Sequence, residues 1–238
     1  MIPIAHHKTR HGEIVVLMSR STVAYWQDER HQSEADHAGI SLAAYIHAIH
    51  HFLRQAQSRD VLMIGCGGGT LATMLRADGV KVTIVEINPR SFEISRNYFH
   101  LPKDVACHVG DGRAFLRASK RKYDAIVLDA YDGSRLPAAM RTPAFFRLVK
   151  SRLRKGGSLY VNVVMRNDRD RHLDRIADLL GKAFATVRLL DARGTSDRNA
   201  VAMAGAVERL KPPAMTIRPR AGARLLRQEI KALAFREP

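Results

Sequence analysis

The sequence predicts an α/β domain whose sheet is mostly parallel and closes on an antiparallel C-terminal edge, with a short β-hairpin in front of it. Three observations carry that prediction. From Val61 to Val164, short apolar runs alternate with helix-length stretches, and this order calls for right-handed crossovers and a sheet covered on both faces. The first of these runs ends in a glycine-rich turn, Gly65-Cys66-Gly67-Gly68-Gly69. The last two strands, 186–190 and 200–206, are close enough in sequence to form an antiparallel hairpin at the sheet edge.

Taken in order, 13–18 and 22–26 read as the N-terminal hairpin, rich in β-branched and aromatic residues and turning at Ser19-Arg20-Ser21. Ser41 is placed to cap a helix whose apolar stripe runs through Leu42, Tyr45, Ile46, Ile49, Phe52 and Leu53. The core follows: strand 61–64, helix 70–77, strand 80–86, helix 90–99, strand 106–109, helix 113–119 and strand 124–129. The uninterrupted apolar run Ala125-Ile126-Val127-Leu128 suits a central strand. A helix at 142–153, a turn at Lys155-Gly156-Gly157, a strand at 158–164 and a helix at 173–184 lead to the closing hairpin. The expected organisation is an appendage over 1–40, a Rossmann-like domain over 41–210, and a peripheral basic tail over 211–238 with a short helix at 223–234.

A chain of 238 residues, 46% of them hydrophobic, has material for one main core. No run approaches the roughly 20 apolar residues of a membrane span, and the N-terminus lacks an apolar signal region, so a cytoplasmic protein without membrane association is expected. The charge of +16 favours anionic partners. Nucleic acid is nevertheless not the favoured partner, because no helix-turn-helix, RNP-like or zinc-finger pattern accompanies the charge. Cys66 and Cys107 have no metal-knuckle spacing and read as packing residues. His47 and His51 stand four apart on one helix, but no third ligand joins them, so no metal is expected.

Chemistry concentrates at the strand ends. Gly65, Gly67 and Gly69 allow a tight turn and close approach of a ligand to the backbone. Glu86 ends the next strand about 20 residues later, where a carboxylate can accept both ribose hydroxyl protons. Asp111 and Gly112 follow the third strand, where Asp111 is able to accept from an adenine amino group. Helix capping is the competing reading of both acids. The spacing favours an adenosine moiety without separating a nicotinamide dinucleotide from an S-adenosyl sulfonium. The fourth strand favours the sulfonium, since Asp129 and Asp132 at its end are able to attract a cationic amine and take its proton. A loop in which Asp129 caps the strand and Asp132-Gly133 forms a turn is the alternative.

These motifs resemble those of the spermidine synthases, or polyamine aminopropyltransferases. The likeness runs through 61–69, Val85-Glu86-Ile87, Val109-Gly110-Asp111-Gly112, 123–129 with Asp132, Phe145-Phe146 and Lys155-Gly156-Gly157. It implies a class I S-adenosylmethionine-dependent methyltransferase fold. It also implies decarboxylated S-adenosylmethionine held by the glycine turn, Glu86 and Asp111, an amine deprotonated by Asp129, and a polyamine held by Asp132 and Tyr45, with Gln32 and Tyr131 beside it. A homodimer is implied as well. Gly68 departs from the pattern, because the family carries there an aspartate that meets the cofactor's aminopropyl ammonium. The expected function is aminopropyl transfer to an amine such as putrescine. Methyl transfer from S-adenosylmethionine and a non-catalytic nucleoside- or nucleic-acid-binding module are the alternatives.

Overall fold

The computed structural model describes residues 1–131 and 135–236. The chain opens with four antiparallel strands, β1 (Ile2–Thr9), β2 (Gly12–Met18), β3 (Thr22–Gln27) and β4 (Arg30–Asp36), paired in sequence order. The expected hairpin is thus the central pair of a larger sheet. The two flanking strands show no alternation of their own: β1 passes from Ile2-Pro3-Ile4-Ala5 to His6-His7-Lys8 with no fully buried residue, and the polar β4 buries only Ala35 and Asp36. Their order comes from pairing with β2 and β3, which no periodicity of their own announces.

Helix α1 (Ala44–Gln55) then leads into β5 (Asp60–Ile64), α2 (Thr70–Ala77), β6 (Lys81–Glu86), α3 (Pro89–Tyr98), β7 (Ala106–Val109), α4 (Gly112–Ala118) and β8 (Tyr123–Leu128). A short 3-10 turn precedes α5 (Pro143–Ser151), β9 (Leu153–Met165), α6 (His172–Gly181), β10 (Val187–Asp191), β11 (Arg198–Gly205), α7 (Ala223–Ala232) and β12 (Ala234–Arg236). The large sheet runs β12-β10-β11-β9-β8-β5-β6-β7. Strands β7, β6, β5, β8 and β9 are mutually parallel, while β11, β10 and β12 pair antiparallel at the closing edge. All of Ala125 to Leu128 is solvent-free, as a central strand covered on both faces requires. The Lys155-Gly156-Gly157 turn lies inside β9, as an irregularity between the pairs Tyr123–Leu153 and Ala125–Ser158.

One face of the sheet packs on α1 and α2, and the other on α5 and α6. The N-terminal sheet lies against α3: Ile14, Val16, Val23 and Tyr25 share a core with Ile94 and Phe99. The Tyr25 hydroxyl lies 3.2 Å from that of Ser91.

The tail differs most from the expectation of a peripheral segment. It runs back along α1, where Ala214 N–H donates to His51 Nδ1 at 2.8 Å and His50 Nδ1 lies 2.7 Å from the Thr216 hydroxyl. It then meets β4, where the buried Asp36 carboxylate accepts from Arg220 N–H at 2.6 Å. Helix α7 buries Leu226 and Ile230, which with Leu233 contribute roughly 1.5–3 kcal/mol each. Phe235 stacks on Phe52 at 5.8 Å, beneath the Arg188 guanidinium. A strap of this kind looks polar in sequence because only every third or fourth residue faces inward. Among the described residues, no helix is long and apolar enough to cross a membrane.

Candidate active site

Parallel register brings the ends of four strands level with Val161 inside β9. Ile64 is opposite both Val85 and Leu128, Glu86 is opposite Val109, and Leu128 is opposite Val161. Gly65, Ile87, Gly110, Asp129 and Asn162 therefore line one crevice, at the carboxyl ends where parallel sheets hold ligands.

On the β5–β7 side, the backbone does most of the holding. Gly65 sits at φ +100°, and a Cβ there would lie 2.1 Å from the Asp129 carbonyl oxygen. Asp129 N–H in turn donates to Ile64 O at 2.8 Å. The first glycine of the turn is thus required by the residue that follows β8. Gly68 faces the fully buried Phe99, whose ring would be 2.8 Å from a Cβ at 68. Its N–H donates to the Ser33 hydroxyl at 3.0 Å, tying the N-terminal sheet to the turn.

Glu86 accepts Cys66 N–H on Oε2 at 2.9 Å and Asn88 N–H on Oε1 at 2.8 Å. Burial pushes its pKa above the usual carboxylate value, while backbone N–H donors and the nearby His11 oppose the shift. Ile87 N–H is a third backbone partner, and a carboxylate with about four acceptor positions keeps capacity for a further donor. The exposed Asp111 caps α4, accepting Ala114 N–H at 2.7 Å, and its second oxygen has no partner among the described residues. Ile87 and Val109 are 48% and 58% exposed beside these acids. They form an apolar flank beside the two acids. The donor and acceptor set fits an adenosine: two apolar side chains for the base, one carboxylate for it, and one for a diol.

On the β8–β9 side, side chains do the holding. The Tyr45 hydroxyl donates to Asp129 Oδ2 at 3.0 Å, and Asn162 Nδ2 donates to Oδ1 at 2.8 Å. Asn199 Nδ2 donates to Asn162 Oδ1 at 3.0 Å. Desolvation raises the Asp129 pKa, and the two donors pull it back. Burial, reinforced by the neighbouring carboxylate, lifts the phenols of Tyr45 and Tyr131 well above their ordinary value. Both remain protonated across the working range of a carboxylate base. Tyr131 lies against the Val164 backbone on the same side of the crevice.

Of the residues singled out in the sequence, the structure gathers Gly65, Gly67, Gly69, Glu86, Asp111, Gly112, Tyr45, Asp129 and Tyr131 along this crevice. Gln32 is the extra residue of a bulge in β4, and it is the neighbouring Ser33 whose hydroxyl reaches the glycine turn. Asp132 lies outside the described residues. The capping alternative holds for Asp111 but does not consume its carboxylate. His47 and His51 serve separate partners, Ser41 O and Ala214 N–H. Sequence reasoning missed Asn162, Asn199, Ser33 and Phe99. For Asn162 a signal was present: it is a lone amide in the apolar run 159–164.

A Rossmann-like sheet with an acid ending its second strand and a donor-clamped carboxylate after its fourth places both carboxylates along one crevice. The chain belongs to the spermine/spermidine synthase domain family, whose model matches residues 42–183. It is 33% identical over 138 residues to a "Probable polyamine aminopropyl transferase" of Bifidobacterium longum, covering 57% of this chain and 31% of that protein. It is 30% identical over 122 residues to an "N-terminal histidine N-methyltransferase" of Emericella nidulans, covering 49% of this chain and 22% of that protein. The chain thus spans a third or less of these two relatives. Among solved structures it matches a probable spermidine synthase from Corynebacterium glutamicum with a TM-score of 0.78 at 16% identity, covering 98% of this chain and 90% of that one. It also matches a spermidine synthase in complex with the transition-state analogue AdoDATO, with a TM-score of 0.68 at 16% identity, covering 98% and 86%. At these identities the structures speak for the fold.

Proposed function

We propose that the protein transfers an aminopropyl group from decarboxylated S-adenosylmethionine to a polyamine such as putrescine. One observation carries this reading: Asp129, at the end of β8 and in backbone contact with the glycine turn, is clamped by two donors that favour its ionised form. A carboxylate so held is able to take a proton from an ammonium. Its raised pKa narrows the gap to the amine and so eases the transfer.

In this reading Glu86 accepts the ribose hydroxyls, Ile87 and Val109 flank the adenine, and Asp111 accepts from its amino group. The bound sulfonium supplies an electrophilic carbon and a neutral thioether leaving group. Asp129 takes the proton from the acceptor ammonium, which frees the nitrogen lone pair. Tyr45 and Tyr131 line the space beside that nitrogen and exclude water. The new N–C bond forms as the C–S bond breaks with its electron pair remaining on sulfur, releasing methylthioadenosine. Alignment of nitrogen, carbon and sulfur supplies much of the acceleration.

The test is product analysis. Purified protein with decarboxylated S-adenosylmethionine and putrescine is expected to release methylthioadenosine and form spermidine in equal amounts. Absence of methylthioadenosine with any di- or polyamine would overturn the proposal. Methyl transfer is the second reading, and Gly68 favours it: with Phe99 against that position, the turn presents no carboxylate to an aminopropyl ammonium. Tighter calorimetric binding of S-adenosylmethionine than of its decarboxylated form would decide for methyl transfer.

A further inference from the structure

Asp129 Oδ1 takes its hydrogen bond from Asn162, and the other end of that amide is occupied by Asn199. We propose that Asn199 is a positioning residue that fixes which end of the Asn162 amide faces Asp129, and through it holds Asp129 in its proton-accepting form. The inference deepens the reading of Asp129 as a base and rests on it.

A carboxylate offers only acceptors, whereas an amide has a donor end and an acceptor end. If the Asn162 amide turns over, its carbonyl faces Asp129, and the contact is restored only by a proton on the carboxyl. Asn162 is 3% exposed, so water is poorly placed to correct a wrong orientation. Asn199 biases the choice. In the orientation seen, its Nδ2 donor, 3.0 Å from Asn162 Oδ1, rewards one orientation of Asn162, and the reverse is matched only if the Asn199 amide turns over as well.

The perch of Asn199 is rigid. In the β9–β11 ladder Asn199 pairs with Val164 and Asn162 with Val201, so the two amides are diagonal neighbours on one face. The adjoining Arg198 is buried and grips Asp191 through two hydrogen bonds of 2.7 and 3.0 Å. Among the described residues, the titratable groups that face Asp129 are Tyr45 from α1 and Tyr131 from the segment after β8. Strand β9 presents it with the neutral amide of Asn162. The charge state of Asp129 is therefore open to control by amide orientation.

The experiment is a carboxyl ¹³C NMR titration of Asp129 in cofactor-free protein, with the signal assigned by its loss in Asp129→Asn. The side-chain NH₂ of Asn162, assigned by its loss in Asn162→Ala, is followed in the same samples. In wild type, the Asn162 NH₂ is expected to shift with the titration of Asp129. Asn199→Ala, which removes the donor without adding charge, is expected to lower the acidity of Asp129 about threefold. Asn199→Asp, nearly isosteric but an acceptor, is expected to lower it tenfold or more and to abolish the tracking by Asn162. The proposal falls if both variants titrate as wild type, or if Asn199→Asp shifts Asp129 while Asn162 still tracks it, which would make residue 199 a charge neighbour only. Should Asn199→Asp not fold, Asn199→Ala decides alone. No substrate is present, so an enzyme inactive toward putrescine leaves this result standing, and an unshifted titration in an active enzyme removes the relay without touching the reaction.

Discussion

The two sides of the crevice are built by different means. Between β5 and β7, the acids are held by main chain: Glu86 rests on backbone amides that include those of Cys66 and Asn88, Asp111 on that of Ala114, and the turn itself bends through glycines. Between β8 and β9, Asp129 is held by side chains from two other elements, Tyr45 on α1 and Asn162 on β9, with Asn199 on β11 behind them. Main-chain holding depends on local order and leaves a spacing that repeats in sequence. Side-chain holding depends on how distant elements pack. The first gives acids of fixed position, and the second a carboxylate whose proton affinity is adjustable by substitution around it.

The largest test of this contrast is Asp129→Asn. Turnover is expected to fall about a thousandfold, within the range of general base catalysis, while calorimetric cofactor affinity stays within about twofold. A parallel loss of affinity would show that the two sides are not separable. Next is Glu86→Ala, which removes the diol acceptor and strands the amides of Cys66 and Asn88. At about 1.5–3 kcal/mol for a lost charged hydrogen bond, cofactor Kd is expected to rise about 10- to 150-fold.

Tyr45→Phe sharpens the comparison from the acceptor side. The phenol stabilises ionised Asp129, so its loss raises the Asp129 pKa further. Because the deprotonated form is the active one, the acidic limb of kcat/KM is expected to move to higher pH. The deficit should be about tenfold below the limb and shrink above it. A uniform deficit at every pH would contradict the assignment. Gly68→Ala is expected to be the mildest. Crowding Phe99 should destabilise the fold by about 1–3 kcal/mol, measured by denaturant titration, and Phe99→Leu in the same chain should recover most of it.

The same contrast explains what the sequence made legible. Gly65 to Gly69, Glu86 and Asp111 recur at strand ends one βα unit apart, so hydrophobic periodicity alone placed them together. The buried strand ending in Asp129 was readable for the same reason. Asn162 and Asn199 come together only because β9 and β11 pair antiparallel in one register, which periodicity does not specify. The reason for Gly68 was likewise hidden, because it depends on Phe99 in a different βα unit. Strands β1 and β4 were missed for want of a local pattern, and the tail's helix was read at 223–234 without its packing along α1. Each is ordered by its partner.

The strap also bears on solubility. Strand β12 is three residues long and carries Arg236, which is paired with Asp174. An edge so short and charged gives another chain little to pair with. Without it, the edge would pass to β10, whose Val187-Arg188-Leu189-Leu190 run is longer and more apolar. Removing residues 233–238 would then bare a longer, more apolar template, and the chain would be lost first to aggregation.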